Sequence, residues 1–465
     1  MTRCRQPLQD PTLLVDVGST YTKAILVDRF GRPVTSHMTP TAHADLDRGF
    51  GDVRAAVESR AGVERQGTQV LASSSAAGGL RLLVVGLEPD LTVRLGQLAA
   101  ATAGGRVSGA YGLGDFLATT PSTMDVVLPD IVLLTGGTDG GDGAALPAAA
   151  GHLRALGVNC PVVVAGNQQT YPLVRAVLDG AGVVRYVPNV LPRLGVVNLG
   201  PARSAIREVF IEHVIGTGRL GSAAALAAHV VMPTPGAVLA ATELVGELGE
   251  AESGPVSPLV VDVGGATTDV HSYLSPARHP EADTDDVAGG LRTVEADLGM
   301  RESALSLVQA AEEDHWVGRH ATVLRSAADE LAADRAFVPA DPAGRLVDRQ
   351  LGTLATAIGL SRHCGRMRIE VAASRHRARP TGRDLRRSGL VIATGGVFRG
   401  MSRPQLAVRA ALRLAAARGA LVPQTGARVA IDTGYVLWAV GLLSTTSRDA
   451  AKVLLGSAVR LHERR

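Results

Sequence analysis

Cysteine is nearly absent from this sequence: Cys4, Cys160 and Cys364 stand far apart with no CxxC pair. That excludes a disulfide framework and a cysteine zinc site, and points to a reducing compartment. Aromatic residues are 3% of the chain, so stacking platforms for bases are missing. A formal net charge of +3 over 465 residues leaves no strong field of either sign, and nucleic acid is not an expected partner. The N-terminal MTRCRQPLQDP lacks the apolar region of a secretory signal, and no apolar run approaches about 18 residues. These absences together point to a soluble cytoplasmic protein with no membrane partner. The densest basic stretch, Arg375 to Arg387, contains Pro380 and Gly382 and reads as a solvated turn, as does the acidic run Glu281 to Asp286.

What is present in quantity is glycine, 54 residues, with 46% hydrophobic positions dominated by Val, Leu and Ala. A chain of this length and composition buries a large core and forms two or three domains with tight turns. One pattern occurs twice. Leu13-Leu-Val-Asp-Val-Gly-Ser-Thr-Tyr-Thr-Lys-Ala-Ile-Leu-Val27 reads as strand, small-residue turn and strand, and Leu259-Val-Val-Asp-Val-Gly-Gly-Ala-Thr-Thr-Asp-Val270 repeats it. Asp16 matches Asp262, Gly18 matches Gly264 and Thr22 matches Thr268 at one common spacing. A second pair, Ile131-Val-Leu-Leu-Thr-Gly-Gly137 and Leu390-Val-Ile-Ala-Thr-Gly-Gly396, suggests that each half carries a copy of one α/β unit. The periodicity breaks near Gly246 to Pro258, which places the lobes at 10–245 and 256–465. Helical spacing runs over Ala205 to Ile215 and Leu220 to Val231, Pro161 to Ala165 reads as a buried strand, and Asp432 to Leu461 reads as helix packed back on a lobe.

A hairpin with Asp closing its first strand and Gly-Ser-Thr in its turn suits a polyphosphate: N–H groups and hydroxyls bond phosphate oxygens, and the carboxylate holds a hydrated Mg²⁺. In the first copy, Ser19, Thr20 and Lys23 offer hydroxyls and a cation for terminal phosphates. Lys23 as an exposed strand residue is the alternative. In the second copy, Gly265, Thr267, Thr268 and Asp269 suit close backbone approach and the orientation of a metal-bound water. Gly395 and Gly396 would lie against adenosine and the α-phosphate. Turn capping is the reading for Asp139 and Asp142, with a share in a metal site as the alternative, and loop bracing is the reading for Asn167 and Gln168. His213 and His363 receive no role.

At these residues the sequence resembles the actin-like ATPase superfamily. Its phosphate-1 loop is similar to Asp16 to Lys23, its phosphate-2 loop to Asp262 to Asp269, and its adenosine loop to Thr394 to Gly396. The resemblance implies an α/β, two-lobed fold of two RNase H-like units around a nucleotide cleft. It also implies ATP and Mg²⁺ as cofactors, Asp16 and Asp262 as the catalytic and metal-holding residues, and a nucleotide-binding set of Gly18, Ser19, Thr20, Thr22, Lys23, Gly264, Gly265, Thr267, Thr268, Asp269, Thr394, Gly395 and Gly396. Further stretches resemble the glutamate mutase accessory protein family, called MutL or GlmL: Thr135-Gly-Gly-Thr-Asp-Gly-Gly141, Ala165-Gly-Asn-Gln168, Asn189-Val-Leu-Pro192, Pro201-Ala-Arg-Ser-Ala-Ile-Arg-Glu208, Arg292-Thr-Val-Glu-Ala-Asp-Leu-Gly-Met-Arg301 and Gly395-Gly-Val-Phe398. That resemblance implies a chaperone-like ATPase that reactivates an adenosylcobalamin-dependent mutase, with the mutase subunits as partners. A small-molecule kinase and a non-hydrolysing nucleotide-binding scaffold remain as alternatives. A radical-dehydratase activator would need an iron-sulfur cluster, which three dispersed cysteines do not readily supply.

Overall fold

The computed structural model describes residues 8–63, 67–75, 80–215, 223–253, 257–275, 288–318, 321–334, 337–372, 375–458 and 460–461. Two of its sheets follow one plan. In the first, Thr12–Val17 pairs antiparallel with Tyr21–Val27, which pairs antiparallel with Pro33–Pro40. On its other side Thr12–Val17 pairs parallel with Gln69–Ser74, and that strand with Val230–Pro233. In the second, Pro258–Val263, Thr268–Leu274 and Gly289–Glu295 form the antiparallel meander, and Leu390–Thr394 and Arg428–Ile431 follow in parallel, with Arg460–Leu461 beyond. Strand order 3-2-1-4-5 thus occurs twice. The repetition read from two hairpins extends to whole sheets, and the fold is the two-unit, RNase H-like plan of the actin-like ATPases. Central strands such as Thr12–Val17 are covered on both faces, which is why they read as unbroken apolar runs, whereas the edge strand Pro33–Pro40 alternates.

Ile131–Leu134 does not belong to either unit, which corrects the second repeat. It lies in a third sheet, all parallel, ordered Arg106–Gly112, Arg81–Gly86, Ile131–Leu134, Val162–Val164, Val184–Tyr186. This doubly wound insertion sits between Gln69–Ser74 and Val230–Pro233 of the first unit. The true counterpart of Leu390–Thr394 is Gln69–Ser74. Any central strand of a parallel sheet needs an apolar run and a sharp exit, so Thr-Gly-Gly arose twice without common placement.

Helix Gly200–Val209 continues as the π-helical Phe210–Ile215. Of the span Leu220 to Val231, residues 220–222 lie outside the described residues; the remainder holds a short helix, Ala224–Ala227, and the start of strand Val230–Pro233, where Val-Val-Met favours the sheet. Helix Thr234–Ser253 runs through Gly246 and Gly249, so these glycines do not break it. At Gly246 a Cβ would stand 2.1 Å from the Tyr273 ring; the missing side chain lets strand Thr268–Leu274 close on the helix. Helix Leu437–Ser444 packs back across Thr234–Ser253, and at their crossing a Cβ on Gly441 would meet the carbonyl oxygen of Ala237. Around this pair, Leu14, Ile25 and Leu71 of the first unit share one core with Val260 and Ile392 of the second.

The basic stretch is more regular than a turn. Arg366–Ala372 and Arg375–Thr381 form an antiparallel hairpin, with Gly382 at φ +74 leading out of it. Cys4 and the acidic run at 281–286 lie outside the described residues. Cys160 and Cys364 form no disulfide. Among the described residues no helix is long and apolar enough to cross a membrane.

Candidate functional site

The two hairpins are built by the same bonds. Gly18 N donates to Tyr21 O at 3.0 Å and Gly264 N donates to Thr267 O at 2.9 Å. Asp16 lies opposite Lys23, and Asp262 opposite Asp269. The turns face each other across the units: a Cβ on Gly265 would lie 3.3 Å from Thr20 Oγ1. Ser19 and Thr20 are exposed at this junction. Behind the second turn, Met300 N and Arg301 N donate to Gly264 O and Gly265 O, so the Leu-Gly-Met-Arg stretch is its backing.

The matched aspartates differ in their partners. Asp16 is fully buried; its Oδ1 accepts from Ser73 Oγ at 2.9 Å and Thr234 Oγ1 at 2.5 Å, and its Oδ2 lies 2.6 Å from Lys23 Nζ. Lys23 is buried too, with its ammonium 3.9 Å above the Tyr435 ring, which removes the exposed-strand reading. Burial is the largest influence on Lys23 and lowers its pKa, but Asp16 and Tyr435 together raise it above the ordinary lysine value. Lys23 is therefore a fixed positive charge.

The Asp262 backbone is in the strand ladder, but its carboxylate makes no hydrogen bond or ion pair with another described residue. Its pKa is pushed up to about 7, first by burial and then by Asp269, with smaller contributions from Asp16 and Asp432 opposed by Lys23. The reason is the cross-strand exchange: where the first hairpin places a lysine, the second places Asp269. That carboxylate is held by Arg292, whose Nη2 lies 2.6 Å from Asp269 Oδ1. Arg292 Nη1 also donates to the carbonyls of Gly105 at 2.9 Å and Ala101 at 3.2 Å, tying the second unit to the insertion.

Sequence reasoning missed Asp432 and Tyr435. Asp432 Oδ2 accepts from Thr394 Oγ1 and from the N–H groups of Val436 and Leu437, all at 2.9 Å, and burial raises its pKa. The available signal was Asp432-Thr-Gly at the end of strand Arg428–Ile431, which imitates Asp16-Val-Gly. Other candidates serve the scaffold. Thr22 Oγ1 pairs with Thr41 Oγ1 at 3.2 Å, and Thr268 Oγ1 donates to Leu298 O at 2.6 Å; both are buried. Thr267 Oγ1 donates to Asp269 at 3.2 Å. Gly395, at φ +105, is required by its neighbours: a Cβ there would lie 2.4 Å from Val263 O and 2.8 Å from Asp262 Oδ1. Gly396 is exposed. In the insertion, Asp142 caps the N–H groups of Ala144 and Ala145, and Asp139 accepts from Gln168 and Asn189.

The donor set fits a hydrated Mg²⁺ shared with phosphates better than a metal held by protein alone. Among the described residues no three acidic, histidine or cysteine groups converge on one point. Asp262 is an unpartnered carboxylate among other acids, the kind of single ligand that a nucleotide-borne Mg²⁺ needs.

A model of the MutL protein family matches residues 12–459. The chain belongs to the MutL family. Protein MutL of Clostridium tetanomorphum is 34% identical over 455 residues, covering 95% of this chain and 97% of that protein. Solved structures are more distant from this MutL-family chain. The nucleotide-free acetone carboxylase is 13% identical with a TM-score of 0.38, covering 94% of this chain and 70% of that one. Component A of (R)-2-hydroxyglutaryl-CoA dehydratase from Acidaminococcus fermentans is 11% identical with a TM-score of 0.33, covering 95% and 100%. At that distance neither bears on the chemistry of the MutL-family site.

Proposed function

We propose that this MutL-family protein is a cytoplasmic ATPase that binds Mg²⁺-ATP between the two hairpins and uses its turnover to reactivate an adenosylcobalamin-dependent mutase. The observation that supports it is the contact of the two equivalent turns at Thr20 and Gly265, with Lys23 and Asp262 behind them. The exposed hydroxyls of Ser19 and Thr20 and the uncommitted turn N–H groups would take phosphate oxygens. Lys23 supplies fixed positive charge, held by Asp16. Mg²⁺ would neutralise the phosphate charge. Asp262 would help hold that ion through its carboxylate and would orient a water. Gly395 and Gly396 would pass beneath the adenosine.

The lobes at 10–245 and 256–465 would move about the shared helices Thr234–Ser253 and Leu437–Ser444. Nucleotide state would set which arrangement is populated, and the client mutase would bind one arrangement better. The basic hairpin Arg366–Thr381 is the proposed client-facing element.

The test is to inactivate a mutase by turnover, then add this protein, fresh adenosylcobalamin, Mg²⁺ and either ATP or a non-hydrolysable analogue. Repeated recovery with ATP is expected, and a stall with the analogue or with Asp262→Asn. Equal recovery in all mixtures would remove hydrolysis from the mechanism. Recovery in none, with phosphate transferred to a metabolite, would favour a kinase.

A further inference from the structure

In the second unit, helices Pro342–His363 and Pro404–Ala417 lie side by side and enclose, with Trp316 and Leu324, a groove of about 640 Å³. Its size is that of a small-molecule site, roughly 300–1,000 Å³. The second of these helices has more apolar surface than its core uses. Ala407, Val408, Ala411 and Ala415 are buried against the core of the unit. Leu406, Ala410 and Leu414 make a further apolar row beside them, in line over about 12 Å at the i, i+4, i+8 spacing of one helix flank. Leu406 and Leu414 stay 53% and 42% exposed, and across the groove Leu346 is 45% exposed. The floor is closed, since Leu324, Leu354 and Ala407 are buried. Large apolar side chains gathered in water around a closed floor mark a place for an apolar ligand, which singly scattered ones do not.

The polar groups of the groove are few and carry one sign of charge. Thr353 gives its hydroxyl to the carbonyl of Arg349 at 2.8 Å. Arg349 and Arg403 are the charged residues of the lining, with no acid among the lining residues. Arg301 nearby is held by Asp348 at 3.1 Å, but neither the Arg349 nor the Arg403 guanidinium forms a hydrogen bond or ion pair with another described residue. Both belong to one end of the groove. Arg349 lies a turn before Gly352 and Arg403 follows Met401, and a Cβ on Gly352 would stand 3.0 Å from Met401 Cε. The other end is closed by Trp316, on whose ring Arg418, a turn past Leu414, stacks at 4.2 Å. The groove is therefore cationic at one end and apolar along its length. The planar fork of a guanidinium suits the two oxygens of a carboxylate.

We propose that this groove binds a straight-chain aliphatic carboxylate, its head at Arg349 and Arg403 and its chain laid along Leu406, Ala410 and Leu414 toward Trp316. The two arginines with no acid beside them select the charge of the head. The apolar row of about 12 Å selects a chain of medium length. Each methylene that covers the exposed leucines is worth roughly fourfold in affinity. Nothing in this inference rests on the nucleotide reading.

The test is titration of the full chain with octanoate, decanoate and decyltrimethylammonium, followed by calorimetry and by tryptophan emission. Trp316 lines the groove, and the other tryptophan, Trp438, is buried in the core shared by the two units. Saturating one-to-one binding of decanoate is expected, with a shift in Trp316 emission, roughly tenfold tighter than octanoate, and no saturation by the cation. Arg349→Gln should weaken decanoate at least about tenfold. Ala410→Trp, which fills the groove from a helix flank outside the core, should abolish binding. If Arg349→Gln does not fold, Arg403→Gln at its exposed position tests the same head group. Binding that ignores chain length or head charge, binding unchanged in Ala410→Trp, or no binding at all would overturn the proposal. So would capture of a glutamate-bearing amphipathic peptide helix in place of decanoate, which would assign the groove to a protein partner.

Discussion

Replacing Asp262 with asparagine should make the protein more stable above neutral pH, although it removes a carboxylate the site needs. The reason is local charge. Burial and the neighbouring Asp269 hold the Asp262 pKa at about 7 against an ordinary 3.8. The folded protein therefore binds this proton more tightly than the unfolded chain. The resulting stability is full below about pH 3.8 and is lost as pH rises through about 7. A gap of roughly three pH units corresponds to on the order of 4 kcal/mol, and solvent at the part-exposed carboxylate reduces this to roughly 2–3 kcal/mol. Asparagine resembles the protonated acid, so the variant escapes the loss. Urea unfolding of both proteins at pH 5, 6, 7 and 8.5 would show the difference growing with pH and levelling above about 7.5. A difference independent of pH, or an asparagine variant less stable at pH 8.5, would refute the reasoning. Saturating Mg²⁺-nucleotide should stabilise the wild type more at pH 8.5 than at pH 5.5.

Three other substitutions test the scaffold. Lys23→Met leaves Asp16 buried without its cation and should cost roughly 3–5 kcal/mol in urea unfolding; a loss under about 1 kcal/mol would mean that Asp16 is not held by charge. Gly246→Ala gains about 1 kcal/mol of helix propensity but meets the Tyr273 ring, so it should destabilise by roughly 1–3 kcal/mol and become stabilising in a Tyr273→Ala background. The same sign in both backgrounds would refute that packing. Gly395→Ala forces a side chain into φ +105 and against Val263 O, which strains the backbone by roughly 1–3 kcal/mol and displaces Asp262. Titration with an ATP analogue should show at least about tenfold weaker binding, and wild-type affinity would contradict the placement.

The hairpins were legible because everything that makes them is local: a turn closed by one backbone bond, glycine where a Cβ would meet Tyr21 O, and apolar strands on either side. Their equivalence needed only a common spacing. The insertion was not legible as a separate body, because Ile131–Leu134 and Leu390–Thr394 meet the same physical demands in different sheets. Gly246 looks like a breaker in sequence, which shows its cost to a helix and not the tyrosine that makes it necessary. Lys23 is open in sequence between a phosphate-facing cation and an exposed strand residue, since its cover, Tyr435, comes from the far end of the chain.

The place of the insertion has a kinetic consequence. Gln69–Ser74 and Val230–Pro233 are neighbours in the first sheet, but the whole parallel insertion is made between them. During synthesis the first unit waits, with one side of Gln69–Ser74 unpaired, until Val230–Pro233 leaves the ribosome, and an open strand edge is a site for mispairing. The insertion is contiguous and can fold meanwhile, which replaces a long floppy closure by the short distance between its two ends. Helix Leu437–Ser444, which covers the first sheet from the far end of the chain, arrives later still. Weakening the insertion's own core, for example at Leu134, should therefore lower the soluble yield of the first unit even though Leu134 lies in neither RNase H-like sheet.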